Sequence, residues 1–509
     1  MRKNCRARNN SPTAGAPRVQ WKIAISFSGT LSMRLVLLLL LCVAGGASPS
    51  ACALDLATAR DDQIDRLRNY VLDAIMPSGL VRDALVLEGT SYHPASPDAA
   101  GFNLLALSSL DYLGKLPAAE AQVIKILNAY AGHTPGVNPA RSPDGHYIHF
   151  MDVTNGGDPP GWDDSYTPIG TALLVAGAQF AKRHFADNLA IGALADELTE
   201  SVDFNAAIHP SLDGRIYLDM TAAGGGAGGA VRPWNEFMLV ESLALRQIGN
   251  NDRALAVRDL WLDTANLPTR NHTLTDNLGS YAPAFWVQQM HFFNGDFRHN
   301  ADFASYFERH RAFDKLYSAS VLDEEFRYGL TAGVSPQGYH ADRVLDHPNN
   351  VFSPEAVAAW GDMEAFLKFY DSQFPTDDPR YRYGLVRESA MQPAWVPNDV
   401  GLVDHLFLLF GLVESIAPDF FTDRVFPGLV EGDFDFDGVV DGRDFLAWQR
   451  GRSLTSALSP TDLATWQANY DVPRVATGVT SIPEPLTSTL GGLAILLAAM
   501  RRHSLTTSR

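Results

Sequence analysis

Apolar residues recur at helical spacing along most of this chain. Ile64, Leu67, Tyr70, Val71, Ala74 and Ile75 fall on one stripe of a segment running from 55 to about 80, the signature of an amphipathic helix. The same period predicts helices over 102–113, 118–131, 171–184, 189–202, 253–265, 301–318, 354–370 and 400–416, and a wholly apolar, buried one over 237–245; their lengths are ordinary for globular helices. A short aromatic stretch, 147–152, reads as extended. The intervals 156–164, 277–300 and 329–353, rich in Gly, Pro, Asn and aromatics, read as long loops. Strand signals are few, and no sequence repeat of fixed period is present. Many apolar helices joined by long loops predict an all-α toroid of helical hairpins, with loops on one rim supplying the site.

One stretch stands at the centre of that pattern. Arg232-Pro233-Trp234-Asn235-Glu236 follows a glycine-rich run, 222–230, which predicts a flexible loop, and leads into the helix over 237–245. A carboxylate there sits at the positive end of a helix. An indole beside a carboxylate also suits sugar cleavage, where a ring stacks on a pyranose face while the acid protonates the glycosidic oxygen. The alternative is a first-turn Glu with a Trp in the core.

Composition narrows the classes. Hydrophobic residues make up 46% of the 509, charged residues 19%, and the formal net charge is -18. A large core is possible, a nucleic-acid partner is disfavoured, and neutral or cationic substrates or calcium stay open.

The two ends read differently. Basic residues, then Met33-Arg34-Leu35-Val36, a leucine run to Leu41 and Ala51-Cys52-Ala53 predict a signal peptide over 1–53, with Met33 an alternative start. Cys5, Cys42 and Cys52 all lie in it, so the exported chain is expected to have no disulfide, catalytic thiol or cysteine metal site. At the other end, Ile482-Pro483-Glu484-Pro485, an apolar run over 490–500 and Arg501-Arg502-His503 resemble a PEP-CTERM sorting tail, 482–509. That resemblance implies transient membrane anchoring, sorting and processing machinery as a partner, and a surface or extracellular location. A linker over 473–481 precedes it. The helical domain is expected over 54–426 and a separate module over 427–472.

That module opens on an acidic twelve-residue loop, 433–444. Asp433, Asp435, Asp437, Asp441 and Asp444 fall at loop positions 1, 3, 5, 9 and 12. Gly438 stands at 6, and the Val439 carbonyl is offered at 7. Hard oxygen ligands at this spacing wrap a calcium ion. The loop, with the helix begun by Phe445-Leu446-Ala447-Trp448, resembles a dockerin-type calcium module, whose partner would be cohesin-like. The second half, 459–466, lacks the acidic triad, so a calcium-stabilised spacer is an equal reading. Calcium is the one cofactor expected, structural rather than catalytic.

Several segments, in order, resemble the glucoamylase-like glycoside hydrolases, the family containing β-1,2-glucan hydrolases. They are Gly101-Phe102-Asn103-Leu104-Leu105-Ala106-Leu107, the 147–152 stretch, Thr171-Ala172-Leu173-Leu174, Pro233-Trp234-Asn235-Glu236-Phe237, Phe292-Phe293-Asn294-Gly295-Asp296-Phe297-Arg298, and Tyr328-Gly329-Leu330 with Gly338-Tyr339. The resemblance implies an (α/α)6 barrel and hydrolysis of a glucan-type polysaccharide by paired carboxylates. It departs at Gly170, where the family usually carries a carboxylate.

Glu236 is the candidate acid, with Asp399 and Asp164 as candidate bases; capping and a solvated acidic loop are their alternative roles. Trp162, Trp234, Trp286 and Tyr339 are candidate sugar platforms. Asp163, Asn235 and Arg298 are candidate substrate contacts, with an Arg298–Asp296 salt bridge as the structural alternative. His291, His340 and His347 lack ligand spacing. Two competing readings remain: a polysaccharide lyase on the same toroid, using Tyr339 with His340, and a non-catalytic surface carbohydrate binder.

Overall fold

A computed structural model describes residues 55–470 except 232, 249–251, 264–266, 268–281, 323, 426–431, 435–439 and 452–457. The segments expected to be a signal peptide, a linker and a sorting tail therefore lie outside the described residues, as does the middle of the acidic loop. No described helix is long and apolar enough to cross a membrane.

Twelve helices longer than four residues build the main body among the described residues: α1 (Leu56–Ala74), α2 (Pro97–Tyr112), α3 (Ala119–Tyr130), α4 (Pro168–His184), α5 (Leu189–Glu200), α6 (Met238–Ile248), α7 (Asp252–Trp261), α8 (Ala284–Phe293), α9 (Ala301–Val321), α10 (Pro354–Ala359), α11 (Met363–Gln373) and α12 (Leu402–Ile416). The even-numbered helices form a closed ring, in which α2 packs on α4, α4 on α6, α6 on α8, α8 on α10, α10 on α12, and α12 back on α2. The odd-numbered helices lie outside, each against its inner neighbour. This is an (α/α)6 toroid: the apolar pattern predicts the toroid of helical hairpins, and the family resemblance implies its six-fold form.

Burial explains which helix goes where. Outer α1 buries one stripe, with Ile64, Leu67, Tyr70 and Val71 inside and polar residues between them. Inner α2 and α12 are buried nearly all round, because they face the ring axis on one side and the outer layer on the other. Phe102 of α2 packs on Phe293 of α8 and Phe407 of α12, with ring centroids 4.7 and 5.2 Å apart. Glycine lets the inner helices approach. A Cβ at Gly101 would stand 2.3 Å from the Leu173 carbonyl oxygen. One at Gly177 would stand 2.5 Å from that of Gly101, and one at Gly411 2.1 Å from that of Ala358.

Starts of inner helices carry a shared local signal. Ser96-Pro97, Thr167-Pro168 and Ser353-Pro354 each place a hydroxyl residue at the N-cap and proline at the first turn; Ser96 and Thr167 cap a helix N–H, Ser353 does not, and proline removes one orphan N–H in each. Connections into inner helices (75–96, 131–167, 201–237, 322–353, 374–401) are long, whereas those out of them (113–118, 185–188, 294–300, 360–362) are short. The long loops among the described residues therefore gather on one rim, at the N-terminal ends of the inner helices. Four antiparallel pairs stiffen it: β1 (Ala84–Val86) with β8 (Asp399–Gly401), β2 (Ile216–Met220) with β3 (Gly226–Val231), β4 (Ala332–Ser335) with β5 (Gly338–Ala341), and β6 (Val351–Phe352) with β7 (Glu388–Ser389). The β1–β8 pair, with Val86 opposite Asp399 and Ala84 opposite Gly401, clasps the first and last long loops and so closes the ring.

Three sequence expectations need correction. Residues 277–300 are not all loop, since α8 occupies Ala284–Phe293; its aromatic, all-round apolar composition hides any helical stripe. The helix expected over 354–370 is two, broken at Trp360–Asp362, where Gly361 takes φ 76°. The glycine-rich run is not simply a flexible loop, because 226–231 pairs as strand β3.

The C-terminal module contributes α13 (Gly442–Gln449) and α14 (Pro460–Asn469). Phe445 and Trp466 lie 5.0 Å apart between them, and Trp466 Nε1 donates to the Asp441 carbonyl at 2.8 Å. Asp444 is buried and accepts from the Phe434 and Asp441 N–H groups at 2.6 and 2.7 Å. It thereby ties both ends of the acidic loop to the start of α13.

Candidate active site

The rim loops enclose a cleft of about 580 Å³ over the N-terminal ends of the inner helices. Its charged lining consists of Asp83, Asp98, Glu236, Asp399, Asp404, His93 and His149; no Lys or Arg lines it among the described residues. Phe150, Trp162, Phe285 and Tyr339 supply aromatic walls. Three of the acids sit at starts of inner helices: Asp98 in the first turn of α2, Glu236 just before α6, and Asp404 in the first turn of α12.

Glu236 is carried into the cleft by the turn before α6. Asn235 Oδ1 accepts from the Phe237 N–H at 3.0 Å, which starts the helix. Glu236 Oε2 is buried and has no hydrogen-bond partner. Burial raises this carboxyl to about 7, outweighing the helix end's preference for the anion. Trp234 is only 5% exposed and packs edge-on against Phe303 at 4.9 Å. It supports the turn from within the core and is not a sugar platform.

Asp399 lies on β8 with its side chain 20% exposed. His93 Nε2 stands 3.5 Å from Asp399 Oδ2, an ion-pair distance without a hydrogen bond. Asp163 is in the exposed loop but reaches the site indirectly, with its Oδ2 3.1 Å from Nδ1 of cleft-lining His149. Burial alone would raise Asp163, yet His149 and Ser165 hold it below its usual value. Trp162 lines the cleft and meets Phe150 edge-on at 5.0 Å. Tyr339, on the β4–β5 hairpin, is 70% exposed at its mouth.

Other sequence candidates fall elsewhere. Asp164 is exposed and does not line the cleft; neither does Trp286. Arg298 lies at the opposite end of the ring, paired with Glu414 and donating to Thr422 Oγ1 at 2.9 Å. Burial would raise Glu414, but His291 and Arg298 outweigh it and pull the carboxyl to about 2. Arg298 is thus a structural clamp, with Glu414 and not Asp296 as its partner; Asp296 faces Arg246 at 3.7 Å. His340 is held by Asp342 at 3.1 Å.

Sequence reasoning missed Asp83, Asp98 and Asp404. Asp83 accepts from Ser96 Oγ at 3.0 Å. Burial first, then Asp98, raises it to about 6, against His149, Ser96 and His93. Asp98 Oδ1 is buried without a partner. Gly170, where a family carboxylate was expected, is closed off by its neighbours: an added Cβ would stand 2.7 Å from Thr167 Cγ2 and 3.0 Å from Pro97 Cγ. The residue after that proline is Asp98, so the acid at this corner of the cleft comes from α2 instead of α4. The findable signal was the hydroxyl-Pro-acid triplet at 96–98.

No protein-family model matches the sequence, and no curated protein does. Solved structures do match the fold. An endo-β-1,2-glucanase from Chitinophaga pinensis, solved with sophorotriose and glucose, is similar with a TM-score of 0.61 and 18% identity, over 73% of this chain and 95% of that one. A putative glucoamylase from Bacteroides fragilis has a TM-score of 0.61 and 19% identity, over 74% and 95%. A β-1,2-glucanase from Parabacteroides distasonis has a TM-score of 0.58 and 16% identity, over 72% and 58%. At these identities the likeness establishes the toroid, and the chemistry must be argued from the cleft.

Proposed function

We propose that this protein is an exported glycoside hydrolase acting on a β-1,2-linked glucan, with Glu236 as general acid and Asp399 as general base. The observation that carries the reading is Glu236 itself: a carboxyl without a partner on its buried oxygen, raised to about 7, on a cleft that also holds Asp399 and aromatic walls. A general acid must be protonated at the working pH and free to give its proton up. Asp399, facing His93, is the complementary carboxylate for activating water. The substrate class is inferred from the glucanases that share the fold. The acidic loop of the C-terminal module is proposed to hold structural calcium.

The lining argues against the lyase alternative. Uronate cleavage needs cations to neutralise a substrate carboxylate, and among the described residues no Lys or Arg joins the acids, two histidines, Gln289, aromatics and aliphatics that line the cleft.

Release of reducing ends from linear β-1,2-glucan, with other glucans and uronans as comparators, tests the reading. Glu236→Gln should lower kcat/KM by about 10²–10⁴ on the polysaccharide, the usual worth of general acid catalysis, and less on activated aryl glycosides. Wild-type kcat/KM should fall as pH rises through about 7, where the acid loses its proton. Near wild-type turnover by Glu236→Gln would remove the assignment.

A further inference from the structure

Asp404 is the least expected carboxyl on the cleft. It is 7% exposed. It lines both the cleft and a small niche beneath its floor, shared with Glu355, Arg387 and His405. As the third residue of α12 it stands where an acid commonly caps its own helix, yet α12 has no side-chain cap. Gly401 at the N-cap leaves space over it: a Cβ there would stand 3.0 Å from Asp404 Oδ2. None of its described neighbours makes a hydrogen bond or ion pair with Asp404; the Arg387 Nη groups and Glu355 are held by other partners, and the buried Arg387 Nε has none. Arg387 donates to the Val334 and Thr331 carbonyls and to Asp342 Oδ2 at 2.9, 2.9 and 3.1 Å. Glu355 accepts from Ser353 Oγ at 2.5 Å and meets His405 Nδ1 at 3.2 Å, while His405 Nε2 faces the Tyr383 carbonyl at 3.0 Å.

We infer that Asp404 is a substrate-binding residue that works as a neutral carboxylic acid, donating its O–H to a hydroxyl of the sugar seated on the cleft floor. A buried carboxyl among other carboxylates keeps its proton, and a protonated carboxyl without an internal acceptor must find one in the ligand. Burial is the main cause that raises Asp404 to about 8. Arg387 opposes it, while Glu355 from α10, Asp83 before β1 and Asp98 from α2 add to it. Tyr70 of α1 and Tyr339 of β5 lie within electrostatic reach of the same group. A sugar hydroxyl accepts this bond at no cost in charge. The ionised form would offer no donor and would repel Asp83 and Asp98.

This inference rests on the glycosidase reading, and the test separates the two. Binding of β-1,2-gluco-oligosaccharides is measured by calorimetry between pH 5.5 and 9.5 in the Glu236→Gln background, so that neither turnover nor Glu236 titration contributes. Affinity should fall above about pH 8, approaching tenfold per pH unit as Asp404 ionises. Adding Asp404→Asn, which keeps a neutral donor, should hold affinity at pH 6.5 within about threefold and flatten that alkaline limb. Asp404→Leu, with folding checked by circular dichroism, should weaken binding about tenfold or more at every pH. A binding profile already flat from pH 7 to 9, or Asp404→Leu binding as the background does, overturns the inference while leaving the glycosidase reading intact. A loss of about 100-fold in Asp404→Asn also overturns it, since the carboxylate would then be the working form. Absence of any glucan binding or cleavage by the wild-type protein overturns the glycosidase reading instead.

Discussion

At the residue scale, the cleft sets two forces against each other on the same carboxyls. A helix N-terminus favours the anion by up to about 2 kcal/mol, while burial favours the acid. Burial wins at Glu236 and Asp404, which end near 7 and 8. This has a stability consequence whose sign is fixed. A carboxyl whose folded value is raised stabilises the fold fully below its unfolded value, about 4, and that contribution is lost as pH rises through the folded value. Asp404→Asn cannot titrate and makes no such loss. Its melting temperature should therefore run near wild type at pH 4 and above it by pH 8.5, by an amount on the order of a few kcal/mol in stability. Thermal melts across that range check this, and a gap independent of pH would refute it. Glu236 was legible in the sequence because a Trp-Asn-Glu turn before an apolar helix is an unusual local arrangement. Asp404 was not, because an acid in a first turn is ordinary, and only the convergence of α2, α10 and the β1–β8 clasp makes this one unusual.

At the element scale, helix existence followed from apolar period, and errors came where period carries no information. Outer helices such as α1 show a stripe because they have a wet face. Inner α8, Ala284–Phe293, has almost none, so its sequence looks like loop. Crossing geometry was also invisible, since it depends on glycines whose partners are far away in sequence. Gly177 of α4 meets the Gly101 backbone of α2, and backbone atoms cannot rotate aside. Gly177→Val should cost at least about 1–3 kcal/mol, the usual penalty for overpacking. It should also lower kcat/KM well below its melting temperature, because α2 and α4 carry Asp98 and Ile169 into the cleft. Gly192 of α5 has open space around it, so Gly192→Ala should melt at or slightly above wild type. Equal melting temperatures for the two variants would show that the crossing is not set by these contacts.

At the scale of the whole molecule, the alternation of long and short connections decides where chemistry can sit. Every long described loop enters an inner helix, so the acids, the aromatic walls and the β-clasps share one rim, while Arg298, His291 and Glu414 lock the other. The toroid could be anticipated from helix count and loop length; which rim residues converge could not, because the ring brings 83, 98, 236 and 404 together from distant parts of the chain. The C-terminal module follows a separate logic. Asp444 and Asp441 already hold the ends of the acidic loop through backbone N–H groups, and Phe445, Trp448 and Trp466 give α13 and α14 a small aromatic contact. We propose that the five loop carboxylates and the Val439 carbonyl would hold bound calcium. Calcium titrated into the whole protein should therefore give one binding event by calorimetry and change the fluorescence of Trp448 and Trp466. Asp435→Ala should abolish both. A chelator should reverse the fluorescence change yet leave hydrolysis of soluble glucan unaltered, since none of the described loop acids, Asp433, Asp441 and Asp444, lines the cleft. Absence of heat in the wild-type protein, or an unchanged response in Asp435→Ala, would refute the calcium assignment, and loss of hydrolysis on chelation would refute the independence of module and cleft.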